Sequence, residues 1–281
     1  MTASSPKLFN ATALSFAQHR AQKRQARTGH SFLYQRAVQD AASRLEDINR
    51  RFGHAVLIGG ADGRALLTSA LPETRQPTQF DYVQTPHELT GQYDLILSLL
   101  ELQSDEALPQ TLTKFRQHLS ADGLLLAAQF GGDTLNELRQ SLYGTDQQVF
   151  GGAMARVFPL VDYSKAALLL GRAGLALPVV DTDRVSVHYG HLKSLVSDLR
   201  DLGLTNSLTA RDTRPLSRMW WMTLQQIYAA HFARADGKLR ASFDILWLTG
   251  WAPHANQQKP LKPGSAKMRL SDALKTQERK L

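Results

Sequence analysis

The chain has 281 residues, of which 43% are hydrophobic, and a formal net charge of +8. No apolar run approaches the ~20 residues that a membrane-spanning helix needs, and the sequence contains no cysteine. The absence of cysteine excludes cysteine nucleophiles, iron–sulfur clusters and zinc sites with thiolate ligands. The first residues lack the apolar segment of a secretory signal, so we expect a cytoplasmic protein without a transmembrane segment.

The first half of the chain alternates between helical and strand patterns. Apolar spacing predicts an amphipathic helix over residues 36–51, a buried strand over 55–58 that stops at Gly59-Gly60, and a helix over 64–70. Strands over 93–99 and 124–130 flank a helix over 108–119, which is followed by a turn at 120–123. This alternation predicts a doubly wound, mostly parallel sheet.

The second half predicts helices over 134–143, 164–173, 192–202 and 216–233, with strands over 185–189 and 243–251. We expect these two strands to pair antiparallel at the end of the sheet, with the helices inserted around them as a cap on the substrate side. The aromatic residues of this half could form core or line a pocket, and helical spacing favours the core; they are Trp220, Trp221, Tyr228, Phe232, Trp247 and Trp251.

The positive charge is concentrated in residues 19–27 and 259–280. It could form a solvated helix face and tail, or a patch for an acidic protein, RNA or a membrane surface. No nucleic-acid-binding module accompanies it, so nucleic acid is not the expected partner. Scattered histidines without ligand spacing predict no metal site, and neither a G-x-S-x-G elbow nor a P-loop is present.

Several separated segments resemble one family. They are residues 130–139, 170–175, 180–183 and 250–251, together with Phe9 and residues 44–52. In this order they are similar to the methyltransferase-fold complex I assembly factor 5 family, which is related to the biotin-pathway carboxyl methyltransferase. The resemblance implies a class I S-adenosylmethionine-dependent methyltransferase fold and division into a basic helical arm and helix (1–52), a methyltransferase-like domain with helical cap insertions (53–255) and a basic tail (256–281).

The resemblance also implies S-adenosylmethionine as the cofactor and a protein partner, a subunit of a respiratory NADH dehydrogenase. The family's mitochondrial member is associated with hydroxylation of an arginine during assembly of that complex. Two functions stay open: a methyltransferase-like assembly protein with a degenerate cofactor site, and an active methyltransferase acting on a protein side chain or a small carboxylate. No residue is assigned a catalytic role.

The cofactor loop departs from the family pattern of an acid followed by G-x-G-x-G. Leu57 aligns with the acid and Ala61 with the middle glycine. The candidate cofactor contacts are therefore the remaining loop residues, a serine near the end of a strand and one more distant acid: Gly59, Gly60, Asp62, Gly63, Ser98 and Asp81. These losses predict weak or absent cofactor binding.

The spacing after this loop is also short. Thirty residues separate Gly63 from Asp94, whereas two helices, two strands and their connections need roughly 45. One alignment makes residues 80–84 the third strand, so that the second strand and the helix after it have shrunk. The other makes Asp81 the acid that holds the cofactor's ribose.

A second glycine loop follows the strand over 124–130. Gly131, Gly132, Asp133 and Thr134 lie at the carboxyl edge of the predicted sheet, where open α/β sheets bind ligands, and are candidates for substrate or partner contact. The alternative is that Asp133 or Thr134 caps the next helix.

Overall fold

The computed structural model describes residues 7–29, 31–60 and 63–257. The helices of this part of the chain are α1 (Ala11–Thr28), α2 (Phe32–Asp47), α3 (Gly63–Ala70), α4 (Leu108–His118), α5 (Asn136–Phe150), α6 (Tyr163–Arg172), α7 (Leu192–Asp201) and α8 (Arg218–Phe232). Its strands are β1 (His54–Ile58), β2 (Gln79–Val83), β3 (Tyr93–Leu99), β4 (Leu119–Phe130), β5 (Ala176–Tyr189) and β6 (Leu239–Trp251). No helix in these ranges is both long and apolar enough to cross a membrane.

The strands form one six-stranded sheet in the order β2-β1-β3-β4-β6-β5. The pairs among β2, β1, β3 and β4 are parallel, and β6 runs antiparallel to both β4 and β5. The prediction of a mostly parallel sheet that ends in two antiparallel strands is therefore confirmed.

Apolar side chains project from both faces of the sheet. Leu95, Leu97 and Leu99 face a layer that contains α2, α3, α5, α7 and α8, while Ile96 faces a layer that contains α4 and α6. This alternation follows from the two-residue period of a strand. Burial on both faces explains why the parallel strands are continuous apolar runs in the sequence.

The position of β2 contradicts the first of the two alignments, in which residues 80–84 form the third strand. Residues 79–83 pair directly with β1, from His54 opposite Gln79 to Ile58 opposite Val83. In a doubly wound sheet the neighbour of the first strand on this side is the second strand, and the third lies beyond it. Residues 79–83 therefore occupy the position of the fold's second strand. In the described part of the chain no strand lies beyond β2 at this edge of the sheet, and only a short 3-10 turn, Pro86–Glu88, lies between β2 and β3.

Several boundaries also differ from the sequence prediction, and the largest difference is at β5, which begins at Ala176 where the predicted strand covered only 185–189. Residues 120–123, predicted as a turn, belong to β4, where Asp122 has a positive φ of 62° and the pairing with β3 shifts register. The helix predicted over 36–51 is α2, which begins at Phe32 because the Ser31 hydroxyl caps the Tyr34 N–H.

The N-terminal helices pack on the rest of the chain. α2 buries Leu33, Ala37 and Ala41 in the sheet layer. On α1, Arg24 donates to the Ser197 hydroxyl at 2.8 Å and pairs with Asp201, both on α7. Part of the basic segment over 19–27 is therefore held against α7.

Candidate functional site at the carboxyl edge of the sheet

The carboxyl ends of β1, β3 and β4 meet at one edge, because these strands are parallel neighbours. Their following segments begin at Gly59, Leu100 and Gly131. Ligands of open α/β sheets bind at this edge. It also collects most of the candidate site residues from the sequence.

The first glycine loop has the backbone that glycine allows most easily. Gly59 and Gly60 have φ of 73° and 64°, in the left-handed region. A Cβ atom at Gly60 or at Gly63 would overlap the hydroxyl of Tyr34, which reaches the loop from α2. Asp62 lies outside the described residues. Packing of Tyr34 is thus a sufficient reason for glycine at both positions.

Glu101 covers the other side of this loop. A Cβ atom at Gly59 would come within 2.7 Å of the Glu101 Oε1. Although the residue keeps some solvent exposure, its position deep among the strand ends removes water from the carboxyl group and raises its pKa to about 7. Leu100, just before it, has a φ of 57°, a conformation that costs a non-glycine residue about 1–3 kcal/mol.

Glu101 was not among the residues proposed from the sequence. Its one sequence signal is that it is an acid directly after the apolar run of β3, at the edge where ligands bind. Its contact with Gly59 joins two loops on different strands, which no local pattern reveals.

The structure does not bring Asp81 to the carboxyl edge of the sheet. This residue lies in the middle of β2, opposite Val56, and its carboxylate is 2.6 Å from Nε2 of His54 at the start of β1. The hydrogen bond with His54 lowers the pKa of Asp81. At the motif-acid position, Leu57 is fully buried in the core.

Ser98 lies beside the first loop in the sheet. It pairs with Ile58, the residue before Gly59. The side chain is fully buried, and its hydroxyl has no hydrogen-bond partner among the described residues. The hydroxyl is therefore an unused donor and acceptor next to the glycine loop.

The second glycine loop is tied to β6. Gly131 lies against Leu246, and the Thr134 hydroxyl donates to the carbonyl of Asp244 and accepts from its N–H, both at 3.0 Å. Asp133 is exposed, and its carboxylate pairs with Arg184 at 3.2 Å. This loop is therefore fixed by backbone contacts, with Asp133 left on its surface.

The helix-cap interpretation of this loop is wrong. α5 begins at Asn136, its cap residue is Leu135 with a φ of 55°, and no side chain caps it. The Thr134 hydroxyl is used by Asp244 instead, and the Asp133 carboxylate by Arg184.

An apolar cavity of about 340 Å³ lies beside the second loop. Its walls come from the end of β4, from α5, α7 and α8 and from the segments between them, and include Phe130, Leu135, Leu138, Phe158, Leu199 and Trp221. Arg156 and Arg200 also line it. Cavities of this size hold small ligands or single large side chains.

Arg156 is held rigidly at this cavity. Its guanidinium donates to both carboxylate oxygens of Asp146 at 2.8 and 2.9 Å, and Asp146 also accepts from the indole N–H of Trp220 at 2.8 Å. Asp146 and Trp220 are buried, and the buried charge of Asp146 is paired with that of Arg156.

The aromatic residues divide between core and cavity. Trp220, Tyr228 and Trp247 are fully buried, which confirms the core interpretation for them. Trp221 is 40% exposed and lines the cavity. Among the described residues, no group of three or more acidic or histidine side chains is placed to hold a metal ion.

No family model matches the chain. It is 35% identical over 183 residues to the mitochondrial arginine-hydroxylase NDUFAF5 of Danio rerio, covering 65% of this chain and 57% of that protein. It is 33% identical over 175 residues to the malonyl-[acyl-carrier protein] O-methyltransferase of Laribacter hongkongensis, covering 62% and 56%. The chain thus spans about half the length of the curated relatives it matches.

Two solved structures illustrate the structural similarity. The YcgJ protein of Bacillus subtilis gives a TM-score of 0.47 at 10% identity, covering 77% of this chain and 98% of that one. Phosphoethanolamine N-methyltransferase 2 of Haemonchus contortus, bound to S-adenosylhomocysteine, gives 0.43 at 11%, covering 85% and 60%. The strand order and the antiparallel β6 decide the fold. The fold is that of a class I methyltransferase.

Proposed function

We propose that this protein is a methyltransferase-fold assembly protein that binds a subunit of a respiratory NADH dehydrogenase and does not depend on S-adenosylmethionine turnover. The observation that carries the proposal is the filling of the first glycine loop by Tyr34 and Glu101. A cofactor that approached this backbone would have to displace both side chains.

The electrostatics of the loop favour the same conclusion. A class I site needs a carboxylate at the end of the first strand, and this chain has the buried Leu57 there. Among the described residues, the carboxylate that reaches this loop is that of Glu101, which lies against Gly59 itself. It therefore occupies ligand space instead of lining it.

The second loop and its cavity support partner binding. The cavity is open, largely apolar and adjacent to the segment over 130–139 that resembles the assembly-factor family. The similarity to the arginine-hydroxylase covers 65% of this chain. An apolar cavity lined in part by arginines can receive an anchor side chain of a protein partner.

Two measurements test the proposal. Calorimetric titration with S-adenosylmethionine should give no saturable binding, with an intact-loop methyltransferase as the positive control. Affinity purification of the tagged chain from its native cell should recover an NADH dehydrogenase subunit. The cofactor half of the proposal would be contradicted by saturable binding at low micromolar concentration that Gly59→Arg abolishes. The partner half would be contradicted if the purification recovered only RNA, in a salt-sensitive manner.

The second candidate function is an active S-adenosylmethionine-dependent methyltransferase for a protein side chain or a small carboxylate. The observation that favours it is the left-handed backbone at Gly59 and Gly60, which a cofactor loop needs. The similarity to a malonyl-[acyl-carrier protein] O-methyltransferase agrees with it. Transfer of a labelled methyl group to a defined acceptor, lost in Gly59→Arg, would establish this function.

A further inference from the structure

The outer face of α8 exposes large apolar side chains. Met219 and Met222 are 63% and 51% exposed and lie one turn apart, and Trp221 on the flank of the same helix is 40% exposed. Methionine and tryptophan are enriched in protein interfaces, where methionine adapts to its partner and tryptophan acts as an anchor. We call Met219, Trp221 and Met222 the α8 patch.

The charge around the α8 patch is positive. α8 contains no Asp or Glu, and its first residue is Arg218. The guanidinium groups of Arg218 and of Arg200 on α7 form no ion pair among the described residues. The two acids that flank Arg200 on α7 are engaged elsewhere, because Asp201 pairs with Arg24 and Asp198 accepts from the Tyr189 hydroxyl. The helix N-terminus adds a partial positive charge at the same end. The complement of this surface is therefore acidic.

The α8 patch continues into the cavity at the second loop. Trp221 belongs to both, and Leu199 and Arg200 of α7 also line the cavity. Two helices that line the same apolar cavity, with cationic side chains beside it, can accept an amphipathic helix, one of whose apolar side chains enters the cavity.

We infer that α7 and α8 form the docking surface for an acidic amphipathic helix of the partner protein. This inference rests on the proposed function for the identity of the partner, but the surface can be tested without it. A flat lipid surface would not fill the cavity, whereas a side chain projecting from a helix would. The acidic residues of the docked helix face Arg200 and Arg218.

A designed peptide tests the surface directly. The probe is a labelled amphipathic helical peptide of about 18 residues with Leu on one face and Glu on the other, and the control is the same peptide with Lys in place of Glu. The chain should bind the Glu peptide in a fluorescence anisotropy titration and not the Lys peptide. Trp221→Glu and Arg200→Glu should each weaken binding at least about tenfold.

The matched control variant is Arg172→Glu, an exposed arginine at the end of α6 on the opposite face of the sheet. It makes the same charge change and should bind like wild type, and circular dichroism should show that all three variants are folded. Equal affinity for both peptides, equal loss in Arg172→Glu, or no binding to the Glu peptide would overturn the inference. Binding to anionic phosphatidylglycerol vesicles that Trp221→Glu abolishes, without peptide binding, would assign the surface to lipid instead.

The same variants separate this inference from the proposed function. If the Glu peptide binds as expected and the wild-type chain recovers no NADH dehydrogenase subunit from the native cell, the proposed partner is rejected and the surface stands. If Trp221→Glu recovers the subunit as well as wild type does, the surface is rejected and the proposed function stands.

Discussion

Glu101 provides the sharpest test of the description of the first loop. Its carboxyl group lies against Gly59 and has a pKa raised by burial to about 7. Replacement by glutamine keeps the size of the side chain and removes the ionisation. We therefore expect Glu101→Gln to stabilise the protein at alkaline pH and to leave it nearly unchanged at acidic pH.

The sign follows from linkage. The ordinary pKa of this carboxyl group is 4.5, and folding raises it to about 7. Below pH 4.5 the group is protonated in both the folded and the unfolded chain, so ionisation has no effect on stability. Between pH 4.5 and 7 the unfolded chain gains a charge that the folded site disfavours. Above pH 7 the folded state carries the full cost of ionising Glu101. At ~1.4 kcal/mol per pH unit of pKa shift, this cost is about 3 kcal/mol. The figure is an upper bound, because solvent reaches part of the side chain.

Urea unfolding at pH 4 and pH 8 measures the effect. The free energy of unfolding of Glu101→Gln minus that of wild type should be close to zero at pH 4 and reach about 1–3 kcal/mol at pH 8. The control is Glu73→Gln, which removes an exposed carboxylate on the turn Glu73–Arg75 and should show no such rise. A difference that is the same at both pH values would show that the Glu101 carboxyl is not held in a site that disfavours its charge.

Three further predictions concern the two loops and the cavity. Gly60→Ala should lower the free energy of unfolding by about 1–2 kcal/mol or more in urea titration, because alanine disfavours the positive φ at this position and its methyl group would overlap the Tyr34 hydroxyl; an unchanged free energy of unfolding would contradict this. Asp146→Ala should cost about 3–5 kcal/mol, because it leaves the Arg156 guanidinium buried without its partner; a melting temperature equal to that of wild type would contradict this. Asp133→Asn removes an exposed ion pair and should change stability by less than about 1 kcal/mol, so loss of complementation in a deletion strain would indicate a partner contact and full complementation would exclude it.

The sequence predicted the sheet well where burial alone determines the pattern. The apolar run over 55–58 and that over 93–99 became β1 and β3 because each is covered by helices on both faces. The antiparallel pair at the end was also predictable, since residues 243–251 are rich in aromatic and β-branched side chains. In these segments local composition and tertiary environment agree.

The position of β2 could not be read from the sequence in the same way. The short spacing between Gly63 and Asp94 shows that an element is missing, but spacing does not show which strand pairs with β1. That choice depends on hydrogen bonds between β1 and residues 79–83. It is a long-range contact without a local signature.

The glycine loop shows the same limit in the candidate site. The sequence predicted that Gly59, Gly60 and Gly63 lie close to something, because only glycine permits such approach. It could not distinguish a ligand from Tyr34 or Glu101, since these side chains arrive from α2 and from the end of β3. Only the three-dimensional arrangement identifies what fills the space.

The two glycine loops at the carboxyl edge of the sheet differ in whether the space beside them is already occupied. At the first loop the chain's own side chains meet the backbone, so any ligand there requires Tyr34 and Glu101 to move, and its affinity is reduced by the cost of that movement. At the second loop the cavity is already open, and a partner that enters it pays no such cost. A small substitution that frees the first loop should therefore act on cofactor affinity alone, whereas partner affinity should respond to the walls of the cavity. The cofactor and partner functions consequently depend on different residues and can be lost independently.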